Sequence, residues 1–272
     1  LKKIPIDHGT KVDIFKNCQY HIFLQINDEC IKIAFENQQL SLIEKIKFMD
    51  YQSLFGNCMA SKEGQFVYQL ARWNNLEKNY VLVDPNEGNS KLFKSIIHKE
   101  RLQSYKQDMG FIAYGKNVST MGISDGVNNR LVRNQQADSH FYETTLHKNQ
   151  TNNYFFALDT SFVFFNFDEK KIEIYDLHGD LTQTSTDHPI FRNKHKTCIV
   201  LHDNISQKCY FVYDTHNDYM ISEIDIDTPQ ILESIALNLV YFESIDIING
   251  NIFSLGRNSV IGTTALFYKR IY

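Results

Sequence analysis

An all-β fold, a β-propeller of six four-stranded blades forming one domain over residues 1–272, is predicted by three observations. Short runs of β-branched and aromatic residues alternate with polar turns along the chain. Strands ending in Asp or Asn recur at near-regular spacing. Long segments of helical period are scarce.

The runs include Ile31-Lys32-Ile33-Ala34-Phe35, Tyr80-Val81-Leu82-Val83, Ile172-Glu173-Ile174-Tyr175, Cys209-Tyr210-Phe211-Val212-Tyr213 and Leu266-Phe267-Tyr268. Such residues suit a pleated, half-buried surface. The segments between them carry turn chemistry: Pro85-Asn86-Glu87-Gly88, Asp125-Gly126-Val127-Asn128-Asn129, His178-Gly179-Asp180 and Asn249-Gly250-Asn251. Asn, Asp and Gly recur there because they tolerate positive φ or bond to their own backbone. The two best helix candidates, Leu40 to Met49 and Ile231 to Val240, read equally well as strands.

Strand ends at Asn37, Asp84, Asp125, Asp176, Asp225 and Tyr268 are separated by 47, 41, 51, 49 and 43 residues. Four-stranded propeller blades repeat at roughly 40–50 residues, hence six blades; five blades of about 54 residues fit the same length. Blades leave only short, protected edges, so no covering helix is required. A parallel α/β sheet would need amphipathic helices between its strands. For ring closure, Lys11 to Phe15 is expected to add a strand to the last blade beside Leu266 to Ile271.

Apolar residues make up 43% of the chain, and 20 Phe, 15 Tyr and one Trp lie in short runs. The net charge of −4, with both signs interspersed, offers no basic footprint for a nucleic-acid backbone, so nucleic acid is not an expected partner. No stretch of 18 apolar residues occurs, so no transmembrane segment is expected. The chain opens on Leu1, and a signal or lipid-anchor segment is expected to have been removed from it. A monomer is expected. The five cysteines form no CxxC pair and are expected as separate buried thiols. A Cys198–Cys209 bridge across the hairpin, or a metal site, are the alternatives.

The element Ile172-Glu173-Ile174-Tyr175-Asp176-Leu177-His178-Gly179-Asp180-Leu181 resembles the strand–Asp–x–x–Gly–x–strand unit of NHL-like and TolB-like propellers. The stretch from Cys209 to Tyr213, through Ile221 to Asp225 and Ile247 to Leu255, to the closing Leu266 to Ile271 resembles a family of secreted, Bacteroides-type six-bladed propellers of unknown function. The resemblance covers roughly the last 120 residues. It implies export to the periplasm or outer membrane, often as a lipoprotein, and implies no chemistry.

Gly110-Phe111-Ile112-Ala113-Tyr114-Gly115-Lys116-Asn117 matches a phosphate-binding loop up to its last position. There Asn117 replaces the hydroxyl that would hold Mg²⁺, and the intervening residues are bulky strand formers, so it reads as a strand and turn. His188, His195, His202-Asp203 and His216-Asn217-Asp218 cluster in polar segments. If His202, Asp203, His216 and Asp218 converge they form a metal site for Ca²⁺ or Zn²⁺; otherwise they are solvated turn residues, and no cofactor is needed. No G-x-S-x-G elbow occurs, Asp7-His8 has no serine context, and 32 acidic residues make any carboxylate pair unspecific. Trp73, beside Arg72, could stack on a sugar or anchor a partner, or pack between blades. Arg130 and Arg133 could bind an anion or lie in an exposed turn.

The expected function is therefore a non-catalytic scaffold binding a protein, peptide or glycan at one funnel face, through Trp73, Arg72 and Arg130. The alternative is a propeller-fold hydrolase or metal-dependent lactonase acting on a carbohydrate-type substrate.

Overall fold

The computed structural model describes residues 12–36, 39–73, 75–107, 109, 152–192, 198–215, 218–228, 230–237, 241–257 and 264–271. They form five antiparallel sheets in which strands pair in chain order. Sheet 1 holds β1 (Val12–Lys16), β2 (Ile22–Ile26), β3 (Glu29–Glu36) and β4 (Gln39–Lys47). Sheet 2 holds β5 (Cys58–Lys62), β6 (Gln65–Arg72), β7 (Glu77–Asp84) and β8 (Asn89–Ile97). Sheet 3 holds β9 (Tyr154–Ala157), β10 (Ser161–Asn166), β11 (Lys171–Asp176) and β12 (Leu181–Thr186). Sheet 4 holds β13 (Cys198–Asp203), β14 (Lys208–Asp214), β15 (Tyr219–Asp225) and β16 (Gln230–Ala236). Sheet 5 has three strands, β17 (Tyr241–Ile248), β18 (Asn251–Arg257) and β19 (Thr264–Arg270). Two α-helices accompany them among the described residues, α1 (Phe48–Phe55) and α2 (residues 99–107).

Consecutive four-stranded meanders are the units from which propeller blades are built. The described residues give five blades, four of four strands and one of three, where the spacing predicts six. The difference lies between Asp84 and Asp176: the strand end expected at Asp125 falls outside the described residues, and the described part of that interval continues through β8 into α2. Asn37 also lies outside the described residues, and Tyr268 falls inside β19, which runs on to Arg270; the remaining three strand ends hold. Asp84, Asp176 and Asp225 each close the third strand of their sheet. In each, Oδ1 accepts two backbone N–H groups of the following turn: Asn86 and Glu87, His178 and Asp180, Asp227 and Thr228. This side-chain turn recurs because a short carboxylate can take the place of a backbone acceptor where the ladder stops. Every four-stranded sheet also carries a register shift between its third and fourth strands, at Lys32/Ile33, Tyr80/Val81, Ile174/Tyr175 and Ser222/Ile224. Bulges there add twist to the outer strand.

One open choice is resolved and two further expectations are corrected. The two segments that read equally as helix or strand are strands β4 and β16 over most of their described length, while α1 begins at Phe48, immediately after β4, and puts Tyr51 inward against Phe23. Residues 12–16 pair with β2 as the first strand of their own sheet, so Lys11 to Phe15 does not extend the last one beside β19; Lys11 itself lies outside the described residues. The disulfide joins Cys18 to Cys58, with their Cα atoms 5.7 Å apart, and Cys209 is a buried free thiol. A Cys198–Cys209 bridge is precluded by register. Cys198 faces Tyr213 and Cys209 faces His202, at opposite ends of the hairpin.

The chain divides into two compact units, residues 1–66 with 153–272, and residues 67–152. In the first, sheet 4 is buried on both faces, and its alternation shows why. Cys209 and Phe211 join Val163, Phe165 and Ile172 of sheet 3, whereas Tyr210 and Val212 join Ile247 and Ile252 of sheet 5. Period-2 side-chain direction sends neighbouring residues of β14 into two different cores. In the second unit, Leu76, Leu102 and Tyr105 form a cluster with Met109 against them, seating α2. Among the described residues no helix is long and apolar enough to cross a membrane.

Candidate functional site

Within the first unit, polar residues at or beside the first strands of sheets 1, 4 and 5 come together, with Phe156 from the first strand of sheet 3 packed on them. Lys16 ends β1, and its Nζ reaches Asp246 of β17 at 2.7 Å. Tyr20 follows in the next turn at φ 63° and lies under Lys16 Nζ, 5.3 Å from the ring centroid. The Tyr20 hydroxyl sits 2.5 Å from Nδ1 of His202, near the end of β13. Phe156 of β9 packs on the same imidazole, with ring centroids 5.4 Å apart.

Burial decides the protonation of this pair. It raises the Tyr20 pKa, with Cys209 and Asp246 adding to the effect, so the phenol keeps its proton. It lowers His202 to about 4; Lys16 adds to the lowering, while Asp203 and Asp159 oppose it. The Tyr20 O–H therefore donates to a neutral His202, whose proton sits on Nε2. That Nε2 is buried and has no hydrogen-bond partner among the described residues. A neutral, enclosed pair of this kind ties the turn after β1 to the end of β13.

Asp203, the neighbour of His202, is wholly buried and its carboxylate is saturated. Oδ1 accepts the N–H of Ile205 and of Asn249 at 3.1 and 2.9 Å, and Oδ2 that of Gly250 at 2.7 Å. Its pKa lies below the usual carboxylate value: burial alone would raise it, and the N–H donors of Gly250, Asn249 and Ile205 outweigh that. Asp218 lies in the turn before β15 and accepts the N–H of Tyr219 at 2.7 Å. His188 is buried and caps the 3₁₀ turn Pro189–Phe191 through Nδ1, with burial lowering its pKa. His195, His216, Arg130, Arg133 and the Gly110 to Asn117 segment lie outside the described residues. No group of three or more His, Cys, Asp or Glu residues able to hold a metal occurs among the described residues.

The second unit presents a different surface. Trp73 follows β6 in a turn closed by Leu76 N–H donating to its carbonyl at 3.1 Å. Its backbone is left-handed, φ 52°, which is rare for a bulky residue, and 46% of it is exposed. Tyr105 supports the ring from α2 at 6.1 Å between centroids, and Lys106 Nζ lies 5.3 Å from the indole centroid. Arg72 beside it is exposed. Along α2, Lys99, Leu102, Gln103, Lys106 and Gln107 share one face and, with Ile97 at the end of β8, line an open groove of about 440 Å³. The residues share a face because they are spaced three, four and seven apart. His98 ties strand to helix: its N–H donates to Leu76 O, and its carbonyl accepts from Leu102 N–H. Of this surface, sequence reasoning finds Trp73 and Arg72 but misses Lys99 and Lys106; their helical spacing from Leu102 is the signal, spread over barely two turns.

No family model matches the chain, and no curated protein matches it. Solved structures similar to it include the β-propeller domain of the Trilobed protease from Pyrococcus furiosus, at 8% identity over 96% of this chain and 64% of that one, TM-score 0.39. A protein of unknown function from Bacteroides caccae matches at 9% identity over 98% of this chain and 81% of that one, TM-score 0.37. TolB from Acinetobacter baumannii matches at 10% identity over 96% of this chain and 60% of that one, TM-score 0.42. The chain thus spans less than two thirds of the Pyrococcus and Acinetobacter structures.

Proposed function

We propose that the chain is a non-catalytic β-propeller scaffold of an oxidising, extracytoplasmic compartment that binds a protein or peptide through the Trp73 face. The observation that carries this reading is Trp73 itself. A large aromatic held half-exposed in a left-handed backbone conformation, set at a tilt against Tyr105 and with Lys106 over its face, is braced before any ligand arrives. Rigid aromatics contribute large contact area at small entropic cost, and Trp, Tyr and Arg dominate binding hot spots. The Cys18–Cys58 bridge supports the compartment, since structural disulfides persist where thiols are not kept reduced.

Trp73 is the single tryptophan, so its emission reports on this surface alone. The purified chain is titrated with a peptide panel and an oligosaccharide panel, and fluorescence is followed alongside calorimetry. A peptide that shifts the emission, shields it from acrylamide, and binds the Trp73→Ala variant about tenfold or more weakly is the expected result. Heat of peptide binding with unchanged emission would place the contact elsewhere and sink this reading.

A further inference from the structure

We infer that the groove beside Trp73 takes an acidic extended segment carrying an apolar side chain, an inference that rests on the binding reading above. Three features of the groove select this chemistry. Its apolar part is Ile97, 45% exposed, and Leu102, whose side chain is also part of the cluster that seats α2. Among the described residues, the charged groups lining it are the exposed Lys99 and Lys106, with amides from Gln103 and Gln107 and no acidic side chain. The chain as a whole is negative at −4, so this local excess of cations runs against its overall balance. Lys99 also stands in the first turn of α2, where the helix dipole disfavours a cation and offers it no stabilisation.

Spacing narrows the segment further. Lys99 and Lys106 are seven residues apart on one helix face, roughly 10.5 Å along the axis. A polyproline-type extended segment advances roughly 9.3 Å in three residues and returns to the same face. Carboxylates three residues apart would therefore meet both ammonium groups, and one of the two residues between them, turned about 120° to the side, carries the apolar side chain for Ile97 and Leu102. Lys106 sits over the Trp73 indole, so an acidic side chain at that end brings the segment across the exposed ring as well.

The test uses the full chain and a fluorescein-labelled 12-residue peptide with glutamate at every third position and leucine and proline between. Its controls are the same peptide with glutamine for glutamate, its lysine counterpart, and a sulfated heparin oligosaccharide. Anisotropy gives affinity, Trp73 emission gives location, and unchanged melting of the Lys99→Glu/Lys106→Glu variant confirms its fold. The expected result is binding of the glutamate peptide that weakens at least tenfold with glutamine and with raised salt. The charge-reversed variant should lose that peptide and take the lysine counterpart instead. Equal response of Trp73 to the glutamate and glutamine peptides would overturn the acidic assignment while leaving the binding surface standing. Binding of the sulfated oligosaccharide without the peptide would overturn it in favour of a glycan. No change in Trp73 emission with any probe, while the labelled peptide still binds, would overturn both.

Discussion

In residues 1–66 and 153–272 the polar side chains of the first strands are turned upon one another. Lys16 holds Asp246, Tyr20 holds His202, and Asp203 serves backbone donors on its own turn and on sheet 5. Among the described residues of 67–152 the pattern differs: Lys78 is buried, but Trp73, Arg72, Lys99 and Lys106 are exposed, and the buried side of α2 is apolar. Burying a polar group favours finding it a partner inside, because leaving it unpaired costs about 1–3 kcal/mol, and the Nε2 of His202 is an exception to that among the described residues. Exposed cations and a braced indole meet no such demand, so their placement is free to be set by a ligand. The contrast teaches that, among the described residues, this cluster of titratable side chains is tied into the fold, and the sparser surface is the better candidate for recognition.

The sharpest way to break this contrast is Asp203→Ala, which strands the N–H groups of Ile205, Asn249 and Gly250. The expected loss is about 4 kcal/mol in urea unfolding. A neutral substitution would show that the cluster is dispensable to the fold, and its residues would again be open to a functional role.

The next effect is a dependence on pH. Folded His202 takes its proton only near pH 4, whereas the unfolded imidazole takes it near 6.5. Between these values the unfolded chain binds the extra proton, so stability falls as pH drops from 6.5 toward 4, by about 3 kcal/mol in all. His188 and His21, also lowered mainly by burial, act in the same direction, so the informative quantity is the difference from His202→Gln. That variant should show a shallower decline between pH 6.5 and 4; an identical slope would mean the imidazole is not held neutral.

Replacing Cys58 by Ser opens a covalent loop between residues 40 apart, with an expected loss of about 2–3 kcal/mol. The same shift should follow reduction of the unaltered chain, and no shift on reduction would argue that the bridge does not form in solution. The smallest stability effect belongs to Trp73→Ala, expected within about 1 kcal/mol, because alanine keeps the Cβ and with it the left-handed strain, and the change loses only the Tyr105 contact of a half-exposed ring. A large loss there would make Trp73 a packing residue and close the gap between the two regions.

Local signals in the chain carried much of the fold. Asp84, Asp176 and Asp225 were readable as strand ends because an Asx turn is written into three or four consecutive residues. The helices were less readable: α1 turns in only Tyr51 and partly Phe48 and Phe55, and α2 turns in Leu102 and Tyr105, too few turns for a 3.6-residue period to stand out. Trp73 was visible as a lone aromatic in a polar stretch, but its exposure and the cation above it were not.

What the sequence determined by itself was the β character, the meander order of strands and the turns that end them, all of which depend on residues close in the chain. What only the tertiary structure decided was which distant residues meet: Cys18 with Cys58, Tyr20 with His202 across 182 positions, Lys16 with Asp246 across 230, and the number of sheets. Those pairings depend on how sheets stack and in what register, and a single sequence carries no local mark of a partner two hundred residues away.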